Sequence, residues 1–319
     1  MAHEIEQMAY VGEVPWHGLG NRVEEGVSVE EMTRQAGLDW SVSKRSVMFN
    51  SLESLGTPFP MHTFKDKFVL ARDLDDKPYA VVSGRYKPVQ PKEVMEFFHD
   101  LVESQGFKLH TAGSLRDGKR IWCLAETGDS HLVNGNDKVD SFLLLATSYD
   151  LTFSTLAQFT SVRVVCNNTL QRALGDASGR VTVTHTQDFD SAAIKSQLGI
   201  GRENWEAFTK ALDVIAKVKL DAVKATSVIS NVFQLKPIEE GADPNRTHAQ
   251  NVIDMFTRQN YIGADLAGDS AWGLLNSLTE YVDFKKRARG DGNRLDNAWF
   301  GDGAKLKERA LNTLVELAA

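Results

Sequence analysis

Apolar and polar positions follow two different periods along this chain, and the change from one to the other divides it. As far as about residue 188, alternation with a period of two dominates, interrupted by two helical stretches. Ser28 followed by Glu31 has the form of a capping box, and Val29 to Ala36 reads as a short helix stopped by Gly37. Trp40 to Phe49 alternates as a strand. The runs 67–72 and 78–83 flank Asp75, Asp76 and Lys77, which predicts a hairpin. Pro91 opens a helix with Val94, Phe97, Phe98 and Leu101 on one face, and Gly106 ends it. Residues 107–115 and 120–127 flank a turn containing Asp117-Gly118, which predicts a second hairpin. Gly135-Asn136-Asp137 is a further turn. From Asp140 to Leu174 the pattern predicts paired strands that feed a short helix from Asn167, and residues 180–185 read as a last strand.

From about Asp190 onward the helical period takes over. Trp205, Phe208, Leu212, Ile215 and Val218 recur at helical spacing, and Gly199 and Gly201 read as a helix break. A polar loop carrying Pro237 and Pro244 follows, then helices near 248–257, 270–286 and 303–318. Alternating strands with crossover helices are missing, which argues against a doubly wound parallel sheet. The expected fold class is α+β: an antiparallel β-sheet core containing a β-β-β-α element, with a helical C-terminal region. The expected division is residues 1–188 for the mixed part and 189–319 for the helical part.

Size and composition narrow the function only a little. The 319 residues can bury a sizeable core, and a net charge of −7 counts against a protein that coats nucleic acid with its whole surface. A local basic groove on an acidic body remains open. Cys123 and Cys166 belong to no metal-type cluster and sit in apolar runs, so buried free thiols in a reducing cytoplasm are expected. The opening residues lack a basic segment followed by an apolar core, so no secretory leader is expected. No apolar run is long enough to span a bilayer, so no membrane partner is expected.

Several separated segments carry a family resemblance: Val14 to Gly20 (VPWHGLG), Ala36 to Trp40 (AGLDW), Gly84 to Gln90 (GRYKPVQ), Thr111 to Leu115 (TAGSL) and Arg163 to Leu170 (RVVCNNTL). Leu275-Asn276, Thr279 to Asp283, Phe300-Gly301 and Lys305 to Lys307 continue it. Together they resemble the phage/plasmid-like proteins of the domain of unknown function 932 group, over nearly the whole chain. That resemblance implies a protein carried by phages, prophages or plasmids, and implies no particular activity. A second resemblance is one of topology alone. The expected strand-strand-strand-helix order is similar to the core of single-strand annealing recombinases.

Chemistry-bearing candidates are few. With Val162, Val164 and Cys166 facing a core, Arg163 points the other way. Asn167 or Asn168 then caps the following helix, or joins Arg163 in holding a phosphate at its N-terminus. The run Lys285, Lys286, Arg287, Arg289 and Arg294 is the strongest electrostatic feature, read as a glycine-bearing loop between helices. Lys305, Lys307 and Arg309 add charge on the next helix, and Trp299 and Phe300 lie beside the run. The pattern suits a polyanion with stacked bases, or equally a solvated loop and a pair of docking aromatics. Arg85 and Tyr86 form a small basic and aromatic tip, with turn formation as the plainer reading. Glu280 and Asp283 share a helix face, as a cation or acid–base pair or as part of an ion-pair stripe with Lys286. His17 is a lone histidine between Trp16 and Gly18. Phosphate-loop, dinucleotide and nucleophile-elbow signatures are absent, so no cofactor and no metal are expected.

The leading expectation is a cytoplasmic DNA-metabolism protein of a mobile element. It would bind single-stranded DNA through Arg163, Asn167, Lys285, Lys286, Arg287, Arg289 and Arg294, with Arg85 and Tyr86 secondary, and act as a homo-oligomer that anneals strands. One alternative is a metal-dependent nuclease or nucleotide-modifying enzyme using Glu280, Asp283 and His17. The other is an interaction protein with a host or phage protein partner, for which the acidic charge speaks.

Overall fold

A computed structural model describes residues 5–12, 18–50, 61–163, 168–171, 180–198, 201–237, 243–286 and 293–319. Strands β1 (Ile5–Val11) and β2 (Asn21–Val23) come first, then α1 (Val29–Gln35). Ser28 caps α1 by accepting a hydrogen bond from the Glu31 amide. Next are β3 (Val42–Asn50), β4 (Met61–Arg72), β5 (Pro78–Ser83) and α2 (Pro91–Gln105). Gln90 and Glu93 close a capping box at the start of α2, and Gly106 ends it at φ 74°, a left-handed conformation that glycine adopts without strain.

The long strands follow: β6 (Lys108–Leu115), β7 (Arg120–Val133), β8 (Asp137–Ser148), β9 (Thr155–Arg163), β10 (Asn168–Gln171) and β11 (Arg180–Val183). The rest of the chain is helical: α3 (Ser191–Leu198), α4 (Gly201–Lys217), α5 (Ala222–Val232), α6 (Arg246–Thr257), α7 (Ala264–Ala267), α8 (Ala271–Glu280), α9 (Asn293–Trp299) and α10 (Asp302–Ala318). A π-helical turn, Tyr281–Lys285, extends α8.

Eight strands form one sheet in the order β10-β9-β8-β7-β6-β1-β2, with β11 paired to β9 beyond the end of β10. Among the described residues every strand pairing in this sheet is antiparallel except β1 with β2. The α+β class, the antiparallel sheet and the helical C-terminal region thus stand as expected. The local expectation of a helix from Asn167 does not. The chain reverses and Asn168–Gln171 pairs with β9, so sheet bonds satisfy the backbone groups a helix would have needed. Residues 164–167, including Asn167 and Cys166, lie outside the described residues, as do Trp16 and His17.

Alternation along β6 to β9, interrupted by register shifts in β6–β7 and β7–β8, gives the sheet two apolar faces. Leu109, Ile121, Cys123, Leu143, Leu145 and Ala157 face α1, α2 and a smaller three-stranded sheet, β3-β4-β5. Burial of Cys123 pushes its thiol pKa up, as expected of a free core thiol. Trp122, Leu124, Phe142 and Leu144 face the opposite way, where Trp299 and Phe300 cover them. Each such side chain withdrawn from water contributes about 1.5–3 kcal/mol. The helices add a core of their own, built on Phe208, Leu212, Ile229, Phe256, Leu274 and Leu311. Val133 and Val139, at the far end of the β7–β8 hairpin, belong to that helical core.

Candidate nucleic-acid interface

Lys285 of the late basic run, and the three cations of α10, are committed to partners within the protein. Lys285 Nζ lies 2.9 Å from Glu280 and reaches toward the Asn260 carbonyl at 3.4 Å. Glu280, almost fully buried, also accepts a 2.7 Å bond from the Ile262 amide. Lys307 is buried and donates to Asp283 at 2.6 Å. Lys305 pairs with Asp302 at 3.5 Å, and Arg309 donates to the Val232 carbonyl at the end of α5 at 2.8 Å. Glu280 and Asp283 therefore do not form one carboxylate pair, since each neutralises a different lysine.

Lys286 is half-buried and has no acidic partner among the described residues. Arg287 and Arg289 lie outside the described residues. Arg294 is not in a loop but in the first turn of α9, with its side chain outside the description, as is that of Arg163 at the end of β9. Trp299 meets Trp122 edge-on at 6.2 Å and Phe300 stacks on Phe153 at 5.0 Å. Both rings dock α9 on the sheet, the second of the two readings their sequence allowed. Asp296 of α9 completes the joint by accepting from Arg116 and Arg120.

The Gly84–Lys87 tip splits. Tyr86 is buried, stacks on His185 at 4.7 Å and donates to the Ser148 carbonyl at 3.2 Å. Its ring is enclosed and offers no platform to a base, so its geometry is that of a residue structuring the turn. Arg85 beside it is exposed and has no acidic partner among the described residues.

A further surface with the expected chemistry lies where β3 and β4 outrun β5. Val47–Asn50 and Met61–Asp66 form a two-stranded arm, paired Met48 to Thr63, Phe49 to His62 and Asn50 to Met61. At its root the register shifts, with Val47 set against the four residues Phe64 to Lys67. Asp66 takes φ 62° there, a left-handed conformation that Asp and Asn tolerate better than most residues. Met48, Phe49, Met61 and Phe64 are all more than half exposed, at 51%, 53%, 64% and 51%. Phe49 and His62 stack at 5.4 Å. Lys65 and Lys67 are exposed and, like Arg85, have no acidic partner among the described residues.

Charge is segregated along the small sheet. Asp73, Asp75 and Asp76 gather at the β4–β5 turn, where they hold Arg45 and Arg72. The hydroxyls of Ser41 and Ser43 and the Arg45 guanidinium keep the Asp73 carboxyl below its ordinary pKa. Lys65 and Lys67 lie at the opposite end, with Asp66 the one acid among the described arm residues. The arm therefore offers rings and cations close together, on a body whose net charge is −7. Such a surface can stack unpaired bases and neutralise phosphates. The sequence signal was present in Met61-His-Thr-Phe-Lys-Asp-Lys67, where aromatic and basic residues interleave, but the predicted strand began only at Lys67.

Among the described residues no group of three or more His, Cys, Asp or Glu side chains is placed to hold a metal ion. No helix among them is long and apolar enough to cross a membrane. The chain belongs to the family described as Domain of unknown function (DUF932), whose family model matches residues 78–299. No curated protein and no solved structure matches the chain.

Proposed function

We propose that this protein binds single-stranded DNA, with the β3–β4 arm as its main contact surface. The observation that carries the reading is the exposed set Phe49, His62 and Phe64 beside Lys65 and Lys67. A soluble protein has little physical reason to hold four large apolar side chains in water on a two-stranded ribbon, which is marginally stable by itself. Rings stacking on bases, with lysines on the phosphates, would remove that exposure. Stacking is indifferent to base identity, so the recognition would be of unpaired strand rather than of sequence.

The biological setting would be DNA metabolism of a phage or plasmid within a bacterial cytoplasm. In a homo-oligomer, several arms would lie along one strand and present it for annealing. The late basic run would contribute through Lys286 and through Arg287, Arg289 and Arg294, since Lys285 is already paired.

The test is a salt series of binding to a labelled single strand and to the matching duplex. The wild type should prefer the single strand and weaken as salt rises. Phe49→Ala with Phe64→Ala should cost about tenfold or more in affinity, from about 1–3 kcal/mol per lost stack. Lys65→Glu with Lys67→Glu should flatten the salt slope by roughly one unit per phosphate contact. Binding that is unchanged in both variants would remove the arm from the interface, and no binding at any salt would end the proposal.

A further inference from the structure

The π-helical turn after α8 assembles a polar cluster from residues more than 30 positions apart, independent of the arm. Lys286 N–H donates to the Tyr281 carbonyl at 2.6 Å, the five-residue bond that makes the turn π rather than α. Such turns insert a residue out of helical phase and occur often at functional sites. Here the phase change brings the Tyr281 hydroxyl to 2.6 Å from His248 Nδ1 on α6, while Asp283 faces Lys307. Asn251, also on α6, donates its side-chain N–H to the same hydroxyl at 3.3 Å. Alongside runs an open groove of about 460 Å³, lined by Asp243, Arg246, Thr247, Gln250 and Asn251. That volume falls within the usual range for small-ligand sites.

We propose that this groove and the adjoining His248 and Lys286 bind a phosphate group, carried by a nucleotide or present as the free ion. The hydrogen-bond directions support it. The phenol proton of Tyr281 finds no acceptor other than His248 Nδ1 among the described residues. Tyr281 therefore donates to Nδ1, and the ring proton of His248 sits on Nε2. Burial, with the charge of Lys286 added, lowers the His248 pKa, which keeps the ring neutral near pH 7. A neutral imidazole with Nε2–H, an ammonium without an acidic partner among the described residues, a hydroxyl and a guanidinium are the donors a phosphate takes.

The acids nearby do not oppose it strongly. Asp243 accepts the Lys236 and Asn245 amides, at 2.9 and 2.8 Å. These bonds hold its charge toward the loop and its pKa low. Asp254 accepts from Gln250 at 2.8 Å. Arg246 spends one N–H on the Lys236 carbonyl at 2.8 Å and has others available to the groove.

The test follows the ring nitrogens of His248 by NMR in the full chain, assigned by their loss in His248→Gln. The probes are inorganic phosphate, adenosine monophosphate and adenosine. Phosphate should shift the His248 signals saturably, and Lys286→Gln should weaken that binding by about tenfold, with Thr247→Val weakening it less. Lys305→Gln, on the exposed start of α10, should change nothing. A monophosphate that binds more tightly than phosphate assigns the groove to nucleotides, and equal affinity assigns it to the free ion. Either result upholds the phosphate site. No saturable shift with phosphate or monophosphate, an equal shift with adenosine, or a Lys286→Gln protein that binds as the wild type does would overturn it. None of these outcomes depends on whether the arm binds DNA.

Discussion

Two hairpins in this protein extend past a neighbouring strand, β7–β8 past β6 and β3–β4 past β5, and they end in opposite environments. The far end of β7–β8, from Ser130 to Asp140, runs into the helical region. There Val133, Asp137 and Val139 are fully enclosed, and Asp137 accepts a 2.8 Å bond from the Trp272 indole. The described far end of β3–β4 leaves its Met and Phe side chains more than half exposed. The backbone device is the same in both, two antiparallel strands with a register shift. What separates them is whether the chain supplies its own cover. An element whose apolar surface the chain leaves open is where a partner from outside gains most.

The largest test of this contrast lies in the cover itself. Lys307 and Asp283 are both buried and bonded to each other, between α10 and the π-helical turn. Lys307→Ala removes the buried ammonium bonded to Asp283 and should cost about 3–5 kcal/mol, read as a lower denaturant midpoint. Replacing both members by Met and Leu should cost much less, because no unpaired charge remains. A single variant as stable as the wild type would mean that solvent reaches the pair. Next in size is Asp137→Ala at the covered hairpin, which removes the 2.8 Å bond from the Trp272 indole. About 1–3 kcal/mol of stability should be lost.

At the open hairpin the expectation reverses. Phe49→Ala with Phe64→Ala removes no buried contact, so thermal stability should stay within about 0.5 kcal/mol while affinity for a single strand falls. Destabilisation comparable to that of Asp137→Ala would show that the arm is already covered in solution, by a second copy or another part of the chain. Light scattering at low and high concentration would then separate these two.

The sequence revealed the covered parts better than the open one, and the reason is physical. Core positions repeat with the period of their element, so α2, the hairpins around 75–77 and 116–119, and the helices after 190 can be read from spacing alone. The arm has no buried face. Met61 to Asp66 therefore shows no clean alternation, and the pattern that marks β4 starts at Lys67, six residues into the strand. The helix expected at Asn167 failed for a related reason. Asn-Asn-Thr-Leu suits a helix start as well as a strand, and pairing with β9, distant information for a local reading, decided it. The late basic run showed charge but not partners. Glu280 could be seen near Lys285, whereas the 24-residue separation of Asp283 from Lys307 could not. The meeting of His248 with Tyr281, across 33 residues, was equally invisible.

The smallest predicted effect concerns the anchored end of the same ribbon that carries the arm. Arg72, buried at the end of β4, is gripped by Asp75 in the turn at 2.6 Å and by Glu6 of β1 at 2.9 Å. Glu6 ties the small sheet to the large one, and Asp75 holds the same guanidinium from within the small sheet. The Arg72 guanidinium, by hydrogen bond first and by charge second, draws the Asp75 pKa from 3.8 to about 2. A carboxyl more acidic in the folded protein than in the unfolded chain adds stability above its unfolded pKa. That contribution disappears as pH falls through the folded value. The wild type should therefore exceed Asp75→Asn in melting temperature above pH 4, and the gap should close between about pH 4 and pH 2. Asp75 is solvent-exposed, so the gap should be small and shrink with added salt. A gap that persists unchanged to pH 2 would mean that Asp75 acts through a contact independent of its charge, and no gap at any pH would mean that Glu6 alone holds Arg72.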